Sequence, residues 1–178
     1  MIMHTSLKTL SLIALSSLLM FIPVAGQNKK ATTKAGQTES EKRNMSAPQI
    51  EFTVSMTKPW THLLEVEARI SSPSLGPDFD LVMPVWTPGS YLVREYARHV
   101  QDFAVKDSTG NAIAWEKTDK NSWRISNGSA KSVVVTYRVY ANELTVRTNE
   151  LNSEHAFFNN SALLMHPRNW ISAASTVK

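Results

Sequence analysis

The chain has 178 residues, no Cys and a formal net charge of +4, room for one ordinary domain with appendages. The missing thiols exclude a disulfide framework, a lipoprotein-type Cys anchor and any thiol nucleophile or ligand. The charge does not make a nucleic-acid binder: Lys29, Lys30, Lys34, Lys42 and Arg43 against Glu39 and Glu41 give residues 27–46 a charge of +3, Lys8 adds one, and the rest is neutral, so the folded part lacks the basic footprint that phosphates need.

His4 and Lys8 precede an apolar run from Thr9 to Ala25 that closes on Pro23 and small residues. This is the pattern of a secretory signal peptide over residues 1–26, cleaved after Ala25 or Gly26. The run is short for a membrane span, and retention as an uncleaved anchor is the alternative. Residues 27–48 are poor in apolar side chains and read as a disordered basic linker. An exported chain without disulfides suits the periplasm or exterior of a bacterium, with no membrane attachment once the signal is removed.

Residues 49–170 read as one all-β domain, an antiparallel sandwich. Ile50, Phe52, Val54 and Met56 alternate with polar residues, and Leu64, Val66, Ala68 and Ile70 alternate with Glu65, Glu67 and Arg69, as half-buried strands do. Leu81, Met83 and Val85 alternate again and lead to Trp86-Thr87-Pro88-Gly89. Pro at the first central position and Gly at the second specify a type II turn. That corner either joins two elements rigidly or holds Tyr91 and Arg94 at the rim of a site. Leu92, Val93, Tyr96 and Val100 then recur at spacings near three and four, predicting a short helical turn with Ser90 as its N-cap.

Strands follow over Val100 to Lys106, Ile113 to Lys117, Trp123 to Ile125 and Lys131 to Tyr140, separated by loops at Asp107–Asn111 and Asp119–Asn121. Asn127-Gly128 is the strongest short hairpin signal, and Lys131 to Tyr140 is the best central strand. Leu144 to Arg147 continues as a strand, Asn152 to Met165 is ambiguous, and regular structure is expected to end at His166 to Trp170, leaving 171–178 as a tail or the start of a further region.

No catalytic or metal-binding residue stands out. No two His residues have His-Glu-x-x-His spacing, and no Gly-x-Ser-x-Gly frame surrounds Ser90. Glu65 and Glu67 share one strand face, which reads as a solvated face rather than an acid/base pair. Five Trp residues should serve chiefly as core or interface anchors, an exposed subset marking a docking face.

The block Pro84-Val85-Trp86-Thr87-Pro88-Gly89-Ser90-Tyr91, with Arg94-Glu95-Tyr96-Ala97-Arg98 after it, resembles the N-terminal domain of the glycyl aminopeptidase family of zinc metallopeptidases, metallopeptidase family sixty-one. Supporting matches follow in Lys117 to Lys120, Trp123, Val133 to Tyr140, Ala141-Asn142-Glu143-Leu144, Val146-Arg147 and His155-Ala156-Phe157-Phe158-Asn159, so the resemblance spans roughly Ile50 to Met165. It implies an exported peptidase in which a β-rich domain precedes a thermolysin-like catalytic domain. The family's zinc ligands lie on a His-Glu-x-x-His helix of that catalytic domain, and no position here matches it. The chain is therefore expected to be a truncated member, inactive alone, binding no cofactor itself and meeting peptide substrate through a catalytic domain in cis or in trans. The candidate rim or domain-interface residues are Trp86, Pro88, Gly89, Ser90, Tyr91 and Arg94 in one cluster and His155, Phe158 and Asn159 in another; they either shape a substrate cleft or only hold domain geometry. The alternative is a stand-alone periplasmic sandwich that works as a binding or interaction module.

Overall fold

The computed structural model describes residues 47–178, and the expected signal peptide and nearly all of the linker lie outside the described residues. In chain order the strands are β1 (Gln49–Ser55), β2 (Leu63–Ser71), β3 (Asp78–Val82), β4 (Val100–Asp107), β5 (Trp115–Asp119), β6 (Ser122–Ser126), β7 (Ser132–Tyr140), β8 (Glu150–Leu151), β9 (Ala156–Phe157), β10 (His166–Pro167) and β11 (Ser175–Val177). One sheet runs β11-β1-β2-β7-β4, the other β10-β3-β6-β5, and β8-β9 form a separate ribbon. Among the described residues, helical structure is limited to 3-10 turns at Pro59–Thr61, Tyr96–His99 and Asn160–Ala162.

The period-two pattern explains the larger sheet. Leu64, Val66, Ala68 and Ile70 of β2 lie opposite Val139, Tyr137, Val135 and Val133 of β7, and all eight are buried. β1 adds Ile50 against Ile70 and Phe52 against Ala68. The smaller sheet contributes Phe79, Leu81, Trp123 and Ile125 to the same core. Glu65 and Glu67 face outward as expected, Glu65 accepting from Thr57 Oγ1 and Glu67 pairing with Arg69 at 2.8 Å. At a bulge in β4 the register shifts between Gln101 and Ala104, and Asp102 takes a φ of 50°. There Phe103 stacks on Trp123 at 5.3 Å and on Tyr137 at 6.4 Å.

The helical turn starts later than periodicity predicts. It occupies Tyr96–His99, with Glu95 at its N-cap position. A helix from Ser90 needs Arg94 N–H to reach the Ser90 carbonyl, and both groups are engaged elsewhere: Arg94 N donates to Val85 O at 2.7 Å, and Ser90 O accepts from the Trp86 indole at 2.7 Å.

Asn127-Gly128 does not close a hairpin. β6 and β7 belong to different sheets, and Gly128, at φ 63°, donates to Pro77 O at 2.8 Å. Asn127 is buried and donates to Gly76 O at 3.1 Å and Ala130 O at 2.7 Å. The left-handed turn is present, but it serves a crossover pinned to the loop before β3. Leu144 to Arg147 is a loop rather than a strand, because Thr145 and Thr148 bond to local backbone in place of a ladder. Regular structure also continues past Trp170, with β11 running parallel to β1. Of the five Trp residues only Trp123 is fully buried; Trp60, Trp86 and Trp115 are exposed.

Asp107 organises the loop after β4, accepting from the backbone and side chains of Thr109 and Asn111. The Thr109 hydroxyl first, and the Asn111 donors with it, hold this carboxyl at about 2, below the ordinary carboxylate range. A depressed carboxyl stabilises the folded loop at neutral pH, and the effect is lost as pH falls through its folded value. An NMR titration should therefore give an Asp107 midpoint near 2, with the loop loosening between about pH 4 and pH 2. Tyr137, wholly buried, donates to Leu163 O at 2.9 Å and accepts from Met165 N at 3.3 Å. Tyr137→Phe strands both backbone groups and should cost about 2 kcal/mol in urea unfolding, with the denaturant slope unchanged.

Candidate functional site

β2 and β7 bring the candidate clusters to one end of the sandwich. β7 stops at Tyr140, and the chain enters the loop 141–149, which Ala141 N anchors to His62 O at 2.8 Å. His62, at φ 57°, donates from Nδ1 to Leu151 O at 2.6 Å. The start of β2, the end of β7 and the β8-β9 ribbon are thereby tied together.

The Pro-Gly corner is the predicted type II turn. Ser90 N donates to Thr87 O at 3.1 Å, and Gly89 sits at φ 83°, where a side chain is strained. The Trp86 indole bonds across the turn to Ser90 O, although half of the residue remains in solvent at 51% exposure. The Ser90 hydroxyl is committed to the backbone of Leu92, so it is not poised as a nucleophile. Tyr91 is 100% exposed. Arg94 is half-buried, and its Nε has no hydrogen-bond partner.

The second cluster is joined to the loop 141–149 through one buried amide. Asn149 Oδ1 accepts from Asn159 N at 2.9 Å, and its Nδ2 donates to Ala162 O at 3.0 Å. Asn159 donates to Val146 O at 3.2 Å and caps the turn Asn160–Ala162 by accepting from Ser161 N at 2.9 Å. Phe158 packs against the core, while the His155 side chain is exposed.

The same loop meets the turn Tyr96–His99 that follows the first cluster. A niche of about 130 Å³ is lined by Tyr96 and His99 on one side and by Tyr140, Asn142, Glu143, Thr148 and Asn149 on the other. Burial raises the Tyr96 phenol above its ordinary range, against the Arg94 and Arg147 charges that act on it. Burial and then the Arg98 charge lower His99, opposed by Glu143. Beyond the corner, Trp86 lines a groove of about 550 Å³ with Asn160, Ser161, His166, Trp170 and Ile171.

The structure thus connects the corner, through Arg94 and the turn Tyr96–His99, with the segment 155–159. The connecting loop 141–149, with Glu143, Arg147 and Asn149, was missed as a site element because Leu144 and Val146 imitate strand alternation. Its signal lay in the turn-formers Asn142, Thr145, Thr148 and Asn149. Chemically the end offers donors and apolar surface. No group of three or more His, Asp or Glu side chains that could hold a metal ion occurs among the described residues.

Residues 51–178 match the family described as the Peptidase M61 N-terminal domain. The chain belongs to that family. No curated protein matches it. Among solved structures it is similar to an aminopeptidase N family protein from Idiomarina loihiensis, at 26% identity and a TM-score of 0.64, over 72% of this chain and 22% of that one. The chain therefore spans less than a quarter of that relative's length. This M61 N-terminal domain carries its Trp86-to-Arg94 corner and its loop 141–149 at the same end.

Asn149→Ala removes the acceptor of Asn159 N and the donor to Ala162 O, and should cost about 2 kcal/mol. Hydrogen exchange should accelerate at the Asn159 and Ser161 amides while β2 and β7 stay protected.

Proposed function

We propose that this chain is the non-catalytic β-domain of an exported glycyl aminopeptidase-like zinc metallopeptidase. It sits beside the catalytic domain, supports it and shapes one wall of the substrate cleft, and it has no hydrolytic activity by itself. The observation that carries this reading is the match of residues 51–178 to the Peptidase M61 N-terminal domain, together with a structural likeness confined to 22% of an aminopeptidase N family chain. Zinc and the water it activates belong to the catalytic domain. What these residues contribute is a rigid sandwich end that presents a stapled corner and a pinned loop, as a cleft rim or domain interface needs. Peptide substrate is reached through that partner domain. Export to the periplasm or the exterior, after removal of residues 1–26, is part of the same proposal and rests on the N-terminal sequence pattern.

The test is reconstitution. The chain is mixed with a separately produced M61 catalytic domain, and co-elution, zinc content and hydrolysis of a glycyl peptide are measured. The chain alone should bind no stoichiometric zinc and hydrolyse nothing, and it should co-elute with the catalytic domain and raise its turnover. Zinc-dependent hydrolysis by the chain alone, or failure to associate with the catalytic domain, overturns the reading; the latter would favour a stand-alone binding module.

A further inference from the structure

The two long sides of the sandwich differ. On one side lie the edge strands β4 and β5, and Phe103 of β4 meets Trp115 of β5 over the core at 4.8 Å. On the other lie the edge strands β11 and β10, only three and two residues long. Residues of both line the groove of about 550 Å³ that Trp86 enters. Its floor is the core itself: Ile50, Phe52, Met83 and Met165 line it, and all four are buried. Its rim carries Trp86, Trp170, Ile171 and Val177, with Ile171 77% exposed.

The rim is fixed by bonds of its own. The Trp86 indole is tied to Ser90 O at 2.7 Å. Ala173 N donates to Trp170 O at 3.0 Å, which makes Ile171 a central residue of a turn. Val177 is paired with Phe52 in the β11-β1 ladder. Charge also sets this groove apart. Arg94, Arg98 and Lys117 line the recess on the other side of the turn Tyr96–His99, Glu143 lines the niche, and Glu65 and Arg138 line a hollow over β2 and β7. Among the described residues no Asp, Glu, Lys or Arg lines the groove, and the Asn121 amide in it is committed to Met83 O at 2.8 Å. A charged ligand would find no counter-ion here, so the surface that fits is apolar and uncharged.

The position of β11 selects the partner. The domain is N-terminal in its family, so in a full-length member the polypeptide runs on from β11, and β11 lines the groove. We infer that the groove is the docking face for the catalytic domain, which seats an apolar, uncharged segment between β11 and β10 and closes the sandwich on that side. The inference rests on the reading of this chain as companion to that domain, and it adds where the two meet and by what chemistry. Trp86 then links the contact to the Pro-Gly corner, since the same indole lines the groove and staples the turn. Large apolar anchors already held in place give an interface affinity with little ordering cost.

Two arms test it. In the first, the ¹⁵N-labelled chain is titrated with an unlabelled M61 catalytic domain while its indole N–H resonances are followed. Those of Trp86 and Trp170 should shift, and those of Trp60 and Trp115, which lie outside the groove, should not. Binding that shifts Trp60 or Trp115 and spares the groove pair overturns the inference. In the second, affinity is compared across variants. Ile171→Asp puts a charge on the rim and should weaken binding about tenfold or more. Ile171→Val should keep the affinity, and Trp60→Ser should leave it unchanged. The free Ile171→Asp chain should unfold at the wild-type urea midpoint, because the side chain it replaces is in solvent. Undiminished affinity in Ile171→Asp overturns the inference while the proposed function stands. So does a wild-type dimer that Ile171→Asp disperses, which would assign the groove to a second copy. So too do groove indole shifts caused by residues 1–26 without any partner, which would assign it to that apolar run. If the wild-type chain does not bind the catalytic domain at all, the proposed function and this inference fall together.

Discussion

The pairing of β2 with β7 is the contact on which the rest of the molecule depends. Each strand buries every second side chain, and the register sets Leu64 opposite Val139 and Ile70 opposite Val133. A slip of one residue would turn the whole apolar set toward solvent. The central position of these strands leaves β1 and β4 to extend the sheet on either side. It also places Tyr137, whose hydroxyl reaches Leu163 and Met165, so that the segment leading to β10 is held by the middle of the core.

That pairing sets the candidate site as well. β7 ends where β2 begins, and the bond from Ala141 to His62 fixes the exit of the loop 141–149. From there Asn149 gathers the segment around Asn159, the niche brings in the turn Tyr96–His99, and a groove joins Trp86 of the corner to Asn160 and Ser161. The M61 N-terminal domain thus assembles the candidate site from the stretch 86–99 and the much later stretch 141–162.

Polar groups are treated differently at other places in the fold. Asp80 receives both Arg124 and Arg168, and Arg168 also donates to Ser122; the bond from Arg124 first, with Arg168 supporting it, keeps that carboxyl below its ordinary range. Charge on that face is matched within the domain. Around the turn Tyr96–His99, by contrast, buried donors stand without internal acceptors beside exposed apolar loops. Stable folds depart from local satisfaction mainly where something else completes them.

Much of the architecture was legible in the residues. The alternation of β1, β2 and β7, the type II turn at Pro88-Gly89 and the β5-β6 turn at Asp119–Asn121 follow from side-chain period and allowed φ, which depend on neighbours a few positions away. The family too was legible, because its corner block is contiguous. The tertiary structure alone decided that Asn127-Gly128 crosses between sheets, since the carbonyl that Asn127 holds belongs to Gly76. It alone delayed the helical turn to Tyr96, through the engagement of Arg94 N and Ser90 O, and made 141–149 a loop at the site. It alone left Trp60, Trp86 and Trp115 outside the core and added β11 beside β1. In each case local propensity allowed more than one state, and the choice fell to which donor, acceptor or strand edge the folded chain brought within reach.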